Sequence, residues 1–110
     1  MNWIKINAIE DIEAIKKRSF EVPCLIFKHS TTCSISSIAK SRLEKDWDFS
    51  SENLEPYYLD LLSYRLISAF IADTFKVYHE SPQAIIVVNG EATFDTSHLD
   101  ITVSELHEVM

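Results

Sequence analysis

Apolar residues spaced three and four positions apart predict four helices along the chain. In "AIEDIEAIKKR", residues 8–18, isoleucines recur every three positions between charged side chains, which is the pattern of an amphipathic helix. Segments 34–47 and 63–75 carry a similar apolar stripe, and "TVSELHEV" at 102–109 is predicted to be a short closing helix. Acidic residues begin the first helix and basic residues end it, an order that suits the helix dipole.

Apolar or aromatic-rich runs between these helices predict four β-strands. "VPCLIFKH" at 22–29 and "QAIIVV" at 83–88 are nearly continuous apolar runs, as in strands buried on both faces of a sheet. "LEPYYLDLL" at 54–62 is rich in aromatic residues, which favour strands. The dipeptide Asn89-Gly90 is a strong hairpin signal and connects "QAIIVV" to a last strand, "EATFDT".

The resulting order of elements is αβαβαββα, which defines an α/β fold. A strand–helix–strand unit implies a parallel pair with a right-handed crossover, whereas the hairpin makes the last two strands antiparallel. A mixed four-stranded sheet with helices on both faces meets both conditions. Because the 110 residues include one glycine and no linker-like or repeated segment, we expect a single domain over residues 1–110.

Composition and charge narrow the class of function. The chain carries 10 basic against 17 acidic residues, a net charge of −7, so the electrostatic attraction that drives non-specific nucleic-acid binding is missing. No apolar run approaches the roughly 20 residues that span a bilayer. The N-terminal segment has acidic residues where a secretory signal needs an apolar core. We therefore expect a cytoplasmic protein without nucleic-acid or membrane partners.

The two cysteines fall in different surroundings. Cys24 lies inside "VPCLIFKH" and is expected to be a core residue, because free cysteine is among the most buried residue types. Cys33 follows the capping-type residues Ser30, Thr31 and Thr32, where the strand passes into its helix. A thiolate there would face free backbone N–H groups and the positive end of the helix dipole. From position alone, a reactive thiol and a tolerated small residue are both open.

A second feature is the proline in "HESPQAIIVV", which opens a buried strand. A cis Ser81–Pro82 bond would keep the backbone of Ser81 off the sheet and expose its polar groups beside the thiol. An ordinary trans proline at the start of a strand is the alternative.

Three basic side chains are candidates to tune the acidity of the thiol. Lys28 and His29 lie just before the turn that carries Cys33, and His79 lies in the loop that leads to Pro82. A nearby positive charge favours a thiolate, and histidine changes its charge near neutral pH. Solvated surface histidines are the alternative for both His29 and His79. The histidines and cysteines lack the paired spacing of structural zinc sites, so no metal is expected.

The order of elements, the cysteine between the first central strand and its helix, and the proline that opens the third strand together resemble the thioredoxin fold. Within that fold, "FKHSTTCSIS" and "HESPQ" are similar to the active-site stretch and the cis-proline loop of the monothiol bacilliredoxins of the YtxJ type. The resemblance covers the whole chain. One difference is that proline often follows the cysteine in that family, whereas Ser34 does so here.

This resemblance implies a thiol–disulfide oxidoreductase with Cys33 as its nucleophile, bacillithiol as a co-substrate and no bound cofactor. Cys33 would take bacillithiol from a bacillithiolated protein and release the protein thiol. Ser36 stands where C-x-x-C enzymes have their resolving cysteine, and serine cannot form a disulfide, so the enzyme would be monothiol. The residues expected to shape the substrate site are Thr32, Ser34, Ser36, Ser81 and Pro82. The sequence does not indicate an oligomeric state.

Two other functions are open at this point. The C-x-x-S spacing of "CSIS" also occurs in the "CGFS" monothiol glutaredoxins, which bridge an iron–sulfur cluster, although serine and isoleucine replace the glycine and the aromatic residue here. The other is a thioredoxin-like module that binds partners without catalysis. A visible absorption band after anaerobic reconstitution would favour the cluster, and disulfide exchange that is lost in Cys33→Ser would exclude the inactive module.

Overall fold

The computed structural model describes residues 1–110 and contains one mixed five-stranded sheet. Its elements are β1 (Ile4–Lys5), α1 (Ile9–Arg18), β2 (Cys24–His29), α2 (Ser34–Asp46), β3 (Glu55–Asp60), α3 (Arg65–Phe75), β4 (Gln83–Val88), β5 (Glu91–Ser97), a 3-10 turn (His98–Asp100) and α4 (Val103–Val109). The strands lie in the order β1-β3-β2-β4-β5. β3 runs parallel to β1 and β2, whereas β4 runs antiparallel to β2 and β5. None of the helices has the length and apolar character needed to cross a membrane.

The sheet has five strands, whereas the sequence pattern predicted four. β1 is only two residues long and pairs Ile4 with Tyr57 and Lys5 with Tyr58 at the outer edge of β3. The amide of Ile6 extends this pairing with a 2.8 Å hydrogen bond to the carbonyl of Tyr58. Two residues are too few to show the alternation by which a strand is recognised. The element order is therefore βαβαβαββα, and the predicted α/β class is confirmed.

Two hydrophobic cores hold the helices against the sheet. On one face, α1 and α3 pack against alternate residues of β2, including Cys24 and Ile26. On the other face, α2 and α4 pack against Leu25 and Phe27, because successive side chains of a strand point to opposite faces. All six residues of β2 are buried. The prediction that Cys24 is a core residue is confirmed, since none of its surface is exposed.

The predicted Asn89-Gly90 hairpin is present and is tied to the end of α1. Both turn residues have positive φ angles, 52° and 79°, as the tight two-residue hairpin requires. Ser19 accepts the amide of Asn89 through its carbonyl at 2.9 Å and the amide of Gly90 through its hydroxyl at 2.8 Å. The ring of Phe20 lies beside the turn, 3.1 Å from the position that a Cβ on Gly90 would take. These contacts tie the β4–β5 hairpin to the end of α1.

Candidate active site

Cys33 is the N-cap residue of α2, at the end of the turn that leaves β2. Its backbone is extended, with φ −102° and ψ 121°. Its carbonyl accepts the amide of Ser37 at 3.1 Å, and its amide donates to the carbonyl of Ser30 at 3.2 Å. The side chain is half-buried and makes no capping hydrogen bond. The thiol is therefore accessible beside the free N–H groups of a 13-residue helix.

Ser36, in the first turn of α2, holds the connection between β2 and α2 in place. Its side chain is fully buried, and its hydroxyl oxygen accepts the amide of Ser30 at 2.9 Å. The same oxygen lies 2.6 Å from Nδ1 of His29. These contacts tie the start of α2 to the end of β2 and so position Cys33. A direct contact between Ser36 and substrate stays a prediction.

His29 is an internal histidine, so the solvated surface alternative is wrong for this residue. Only 6% of it is exposed, and its ring stacks on Phe27 with the centroids 6.0 Å apart. The ring of Tyr58 lies 5.7 Å away on the same face of the sheet. Burial lowers the pKa of His29, and the charge of Lys40 lowers it further. His29 is therefore a neutral imidazole at pH 7, held against Ser36.

Lys28 and His79 meet on the other face of the sheet, below α3. Lys28 is fully buried, and its ammonium donates to the carbonyl of Ser68 at 3.2 Å and lies 3.4 Å from Nδ1 of His79. Burial lowers the pKa of Lys28 to about 8. The pKa of His79, which is an exposed residue, is lowered by burial of part of its ring and then by the charge of Lys28. Lys28 thus acts directly on His79, and an effect of either residue on Cys33 stays a prediction.

The peptide bond between Ser81 and Pro82 is cis, so the structure has the first of the two forms that the sequence left open. Pro82 is buried and Ser81 is half-buried. Lys28 pairs with Gln83 in the antiparallel ladder of β2 and β4, which places Pro82 level with His29. The proline loop and the turn into α2 therefore lie at the same end of the neighbouring strands β2 and β4.

Thr32 and Ser34 flank Cys33 and are exposed, and the hydroxyl of Thr32 lies 3.5 Å from that of Ser30. The substrate contacts expected of Thr32 and Ser34 stay predictions. Sequence reasoning missed two buried polar residues, Ser68 and Gln83. Ser68 occupies an ordinary polar position in an amphipathic helix, and no sequence signal marks it. Gln83 opens an otherwise apolar strand, a signal that could have found it, and its Oε1 is buried without a hydrogen-bond partner. No three His, Cys, Asp or Glu side chains come together as a metal site requires.

Comparison with solved structures shows which fold these elements form. A protein described as a candidate oxidoreductase with a thioredoxin fold is 34% identical, with a TM-score of 0.80 over 96% of this chain and 91% of that one. The thioredoxin of Malassezia sympodialis is 15% identical, with a TM-score of 0.76 over 97% and 86% of the two chains. Chloroplastic thioredoxin z is 14% identical, with a TM-score of 0.75 over 99% and 91%. The predicted thioredoxin fold is confirmed.

A family model extends this result from the fold to the family. The model described as monothiol bacilliredoxin BrxC matches residues 4–106. That match includes the turn that carries Cys33 and the loop that carries Pro82, the two stretches on which the resemblance rested. Together with the 34% identical structure, it supports a redox function on this fold. The chain belongs to the monothiol bacilliredoxin BrxC family of thioredoxin-fold proteins.

Proposed function

We propose that this protein removes bacillithiol from protein mixed disulfides, with Cys33 as its nucleophile. The observation that carries the proposal is that Cys33 is the one accessible thiol, at the N-terminus of α2. The other cysteine, Cys24, is fully buried, and burial raises its pKa to about 12. Because the thiolate is the nucleophile, Cys24 is inert near neutral pH. Membership of the bacilliredoxin family supports bacillithiol as the small thiol.

The proposed reaction exchanges the partners of a disulfide and needs no bound cofactor. The thiolate sulfur of Cys33 attacks the bacillithiol sulfur of the mixed disulfide and forms a new S–S bond with it. The old S–S bond breaks, and its electron pair leaves with the sulfur of the target protein, which then takes up a proton. One disulfide is lost and one is formed, so the step involves no net oxidation. An external thiol, acting as co-reactant, then attacks the bacillithiol sulfur of the new disulfide. The bond to Cys33 breaks, Cys33 leaves as its thiolate, and a disulfide between the external thiol and bacillithiol is released.

An external thiol is required because the chain has no second thiol within reach of Cys33 to resolve the intermediate. Ser36 occupies the position of a resolving cysteine, and its hydroxyl oxygen accepts a hydrogen bond from the amide of Ser30. Cys24 begins β2 and Cys33 follows its end. At about 3.3 Å per residue, the strand places its last residue, His29, roughly 16 Å from Cys24. Cys33 lies beyond that end of the strand, so the two cysteines are farther apart than the ~7 Å between Cα atoms that a disulfide can span.

The residues around the thiol shape the approach of the target protein in this proposal. The hydroxyls of Thr32 and Ser34 flank Cys33 and are exposed. Ser81 takes no part in the β4 ladder, which begins at Gln83, so its backbone is free to pair with an extended segment of the target. Pro82 fixes where that backbone leaves the sheet. Bacillithiolated proteins are therefore the proposed partners.

Transfer of the thiol group between two proteins tests this function. A bacillithiolated test protein is mixed with an excess of the reduced chain, and the masses of both proteins are followed over time. We expect the adduct to move from the test protein to wild type and to Cys24→Ser, and not to Cys33→Ser. Circular dichroism of each variant shows whether it is folded.

Two results of the transfer experiment would contradict the proposal. Equal loss of transfer in folded Cys24→Ser and folded Cys33→Ser would remove the monothiol assignment. A folded wild-type chain that takes up no bacillithiol would instead favour the module that binds partners without catalysis.

A further inference from the structure

A chain of hydrogen bonds connects the ring of His29 to the backbone of Cys33. Nδ1 of His29 lies 2.6 Å from the hydroxyl oxygen of Ser36. The same oxygen accepts the amide of Ser30 at 2.9 Å, and the carbonyl of Ser30 accepts the amide of Cys33 at 3.2 Å. Ser36 is fully buried, and His29 and Ser30 are 6% and 7% exposed. Polar groups this far from water are satisfied by partners within the protein.

The contacts of Ser36 determine which ring nitrogen of His29 carries the proton. The amide of Ser30 only donates, so Nδ1 of His29 is the one acceptor in contact with the hydroxyl of Ser36. If Nδ1 carried the ring proton instead, the hydroxyl proton would be buried without an acceptor. The ring proton therefore lies on Nε2. That nitrogen is open to solvent, since Oε1 of Gln83 is the one buried polar side-chain atom without a partner.

The surroundings of the His29 ring keep it neutral at pH 7. Burial lowers the pKa of His29 and the charge of Lys40 on α2 lowers it further, whereas Asp60 at the end of β3 and Glu44 on α2 oppose both. Lys40 and Glu44 pair with each other at 2.7 Å. Tyr58 on β3 is uncharged, since burial raises its pKa. A neutral His29 can accept the proton of a hydroxyl group and adds no positive charge.

We propose that His29 is a positioning residue for thiol exchange: its Nδ1 holds the hydroxyl of Ser36, and Ser36 holds the backbone that presents Cys33. Ser36 lies in the first turn of α2, and Ser30 lies in the connection after β2. The bond between them therefore fixes the start of the helix against the end of the strand. The ring of His29 need not touch the substrate for this role. The role rests on the proposed function, because exchange at Cys33 is the reaction that it serves.

Two variants separate the acceptor nitrogen from the ring that carries it. His29→Phe keeps an aromatic ring beside Phe27 and Tyr58 and removes the acceptor. His29→Asn removes the ring and keeps an acceptor, because Oδ1 of asparagine lies as many bonds from the backbone as Nδ1 of histidine. If His29 served packing alone, His29→Phe would be the milder change. If it positions Ser36, His29→Asn is the milder change.

The test measures the rate of adduct formation on Cys33 at pH 7, by intact mass, in the full-length wild type and both variants. Bacillithiol disulfide and bis(2-hydroxyethyl) disulfide are used separately, so exchange is followed with and without the proposed co-substrate. Ser36→Ala is measured alone and combined with His29→Phe. His107→Phe, at an exposed position of α4, is the matched control for loss of a histidine. Nitrogen chemical shifts of the wild type show which nitrogen of the His29 ring is protonated.

We expect exchange to be about tenfold to a hundredfold slower in His29→Phe than in wild type, because a small displacement of a reacting group has effects of this size. His29→Asn should be at least about threefold faster than His29→Phe, and His107→Phe should match wild type. The double variant should be no slower than Ser36→Ala alone, because His29 acts through Ser36. The nitrogen shifts should show Nδ1 of His29 without a proton.

Three results would overturn the positioning role. They are a proton on Nδ1 of His29 at pH 7, a folded His29→Phe that exchanges as fast as wild type or faster than His29→Asn, and a fully additive loss in the double variant. The nitrogen shifts need no variant, so they decide the question if His29→Phe does not fold. The expected order of rates with hydroxyethyl disulfide, without uptake of bacillithiol, would support the positioning role and contradict the proposed function.

Discussion

Replacing Lys28 with methionine isolates the energetic effect of a buried ammonium group. Methionine keeps an unbranched side chain of similar length, so the packing between β2 and α3 changes little. What the substitution removes is the charge and its hydrogen bond to the carbonyl of Ser68. Replacement of an isolated buried charge by an apolar side chain is often neutral or stabilising. The sign of the change is therefore informative.

The expected magnitude follows from the pKa. Burial lowers the pKa of Lys28 from 10.5 to about 8, and each pKa unit corresponds to about 1.4 kcal/mol. At pH 7 the charge therefore costs the folded state at most about 3 kcal/mol, because water penetration and relaxation offset part of the penalty. The lost hydrogen bond of a charged donor contributes about 1.5–3 kcal/mol in the opposite direction. We expect Lys28→Met to raise the free energy of unfolding at pH 7 by about 0–1.5 kcal/mol.

The pH dependence separates this charge from every other effect of the substitution. Below pH 8 Lys28 is protonated in both states, and its burial penalty is complete. As the pH rises from about 8 to 10.5, the folded chain gives up this proton before the unfolded chain does, so the wild type is stabilised relative to Lys28→Met. Other groups that titrate in this range are present in both proteins and cancel in the difference.

Urea unfolding followed by the fluorescence of Trp3 and Trp47 measures the effect at pH 7, 9 and 10.5, with Lys17→Met as the exposed control. We expect the stability of the wild type minus that of Lys28→Met to increase by up to about 3 kcal/mol over this range, and the same difference for Lys17→Met to stay nearly constant. A flat difference for Lys28→Met, or a loss of more than about 3 kcal/mol at pH 7, would refute the view that Lys28 is an uncompensated buried charge.

Three further substitutions test other parts of the structure. Ser36→Ala leaves the buried amide of Ser30 without its acceptor, so urea unfolding should show a loss of about 1–3 kcal/mol; an unchanged midpoint would mean that the turn does not depend on this hydroxyl. Cys24→Ser places a hydroxyl in the core and should cost about 1–3 kcal/mol while bacillithiol transfer continues; slower transfer by the folded variant would argue against a purely structural Cys24. Gly90→Ala places a Cβ at φ +79° and 3.1 Å from the ring of Phe20, and calorimetry should show a loss of about 1–2 kcal/mol, with Gly90→Asn less affected.

The fold could be predicted from the sequence because its helices and central strands are long enough to leave a pattern. The spacing in α1 and the apolar runs of β2 and β4 reflect which side chains face the core. In α2 the spacing is only partly right, because Ala39 and Leu43 are buried whereas Ile35 and Ile38 are exposed. β1 was missed because two residues cannot show a period. It exists through pairing with β3, a contact across about fifty positions of sequence that no local pattern records.

The site could be predicted only where its residues are neighbours in sequence. Cys33 and the capping-type residues before it lie in one short stretch, so the helix start beside the thiol followed from local reasoning. The burial of Lys28 depends on Ser68 and His79, which lie 40 and 51 positions away. The enclosure of His29 depends likewise on packing against side chains from other elements. Such long-range contacts decide whether a polar side chain tunes a thiol, anchors a turn or lacks a counter-ion.

The most direct test of the central claim is the intact mass of the reduced chain after exposure to bacillithiol disulfide, with glutathione and coenzyme A disulfides in parallel. Wild type and Cys33→Ser are compared over time, and peptide mapping locates any adduct. We expect one bacillithiol adduct on Cys33 of the wild type, formed faster than the other two adducts, and none on Cys33→Ser. Slow labelling that does not discriminate among the three thiols, or labelling that persists in Cys33→Ser, would contradict the assignment of Cys33 as the exchanging thiol.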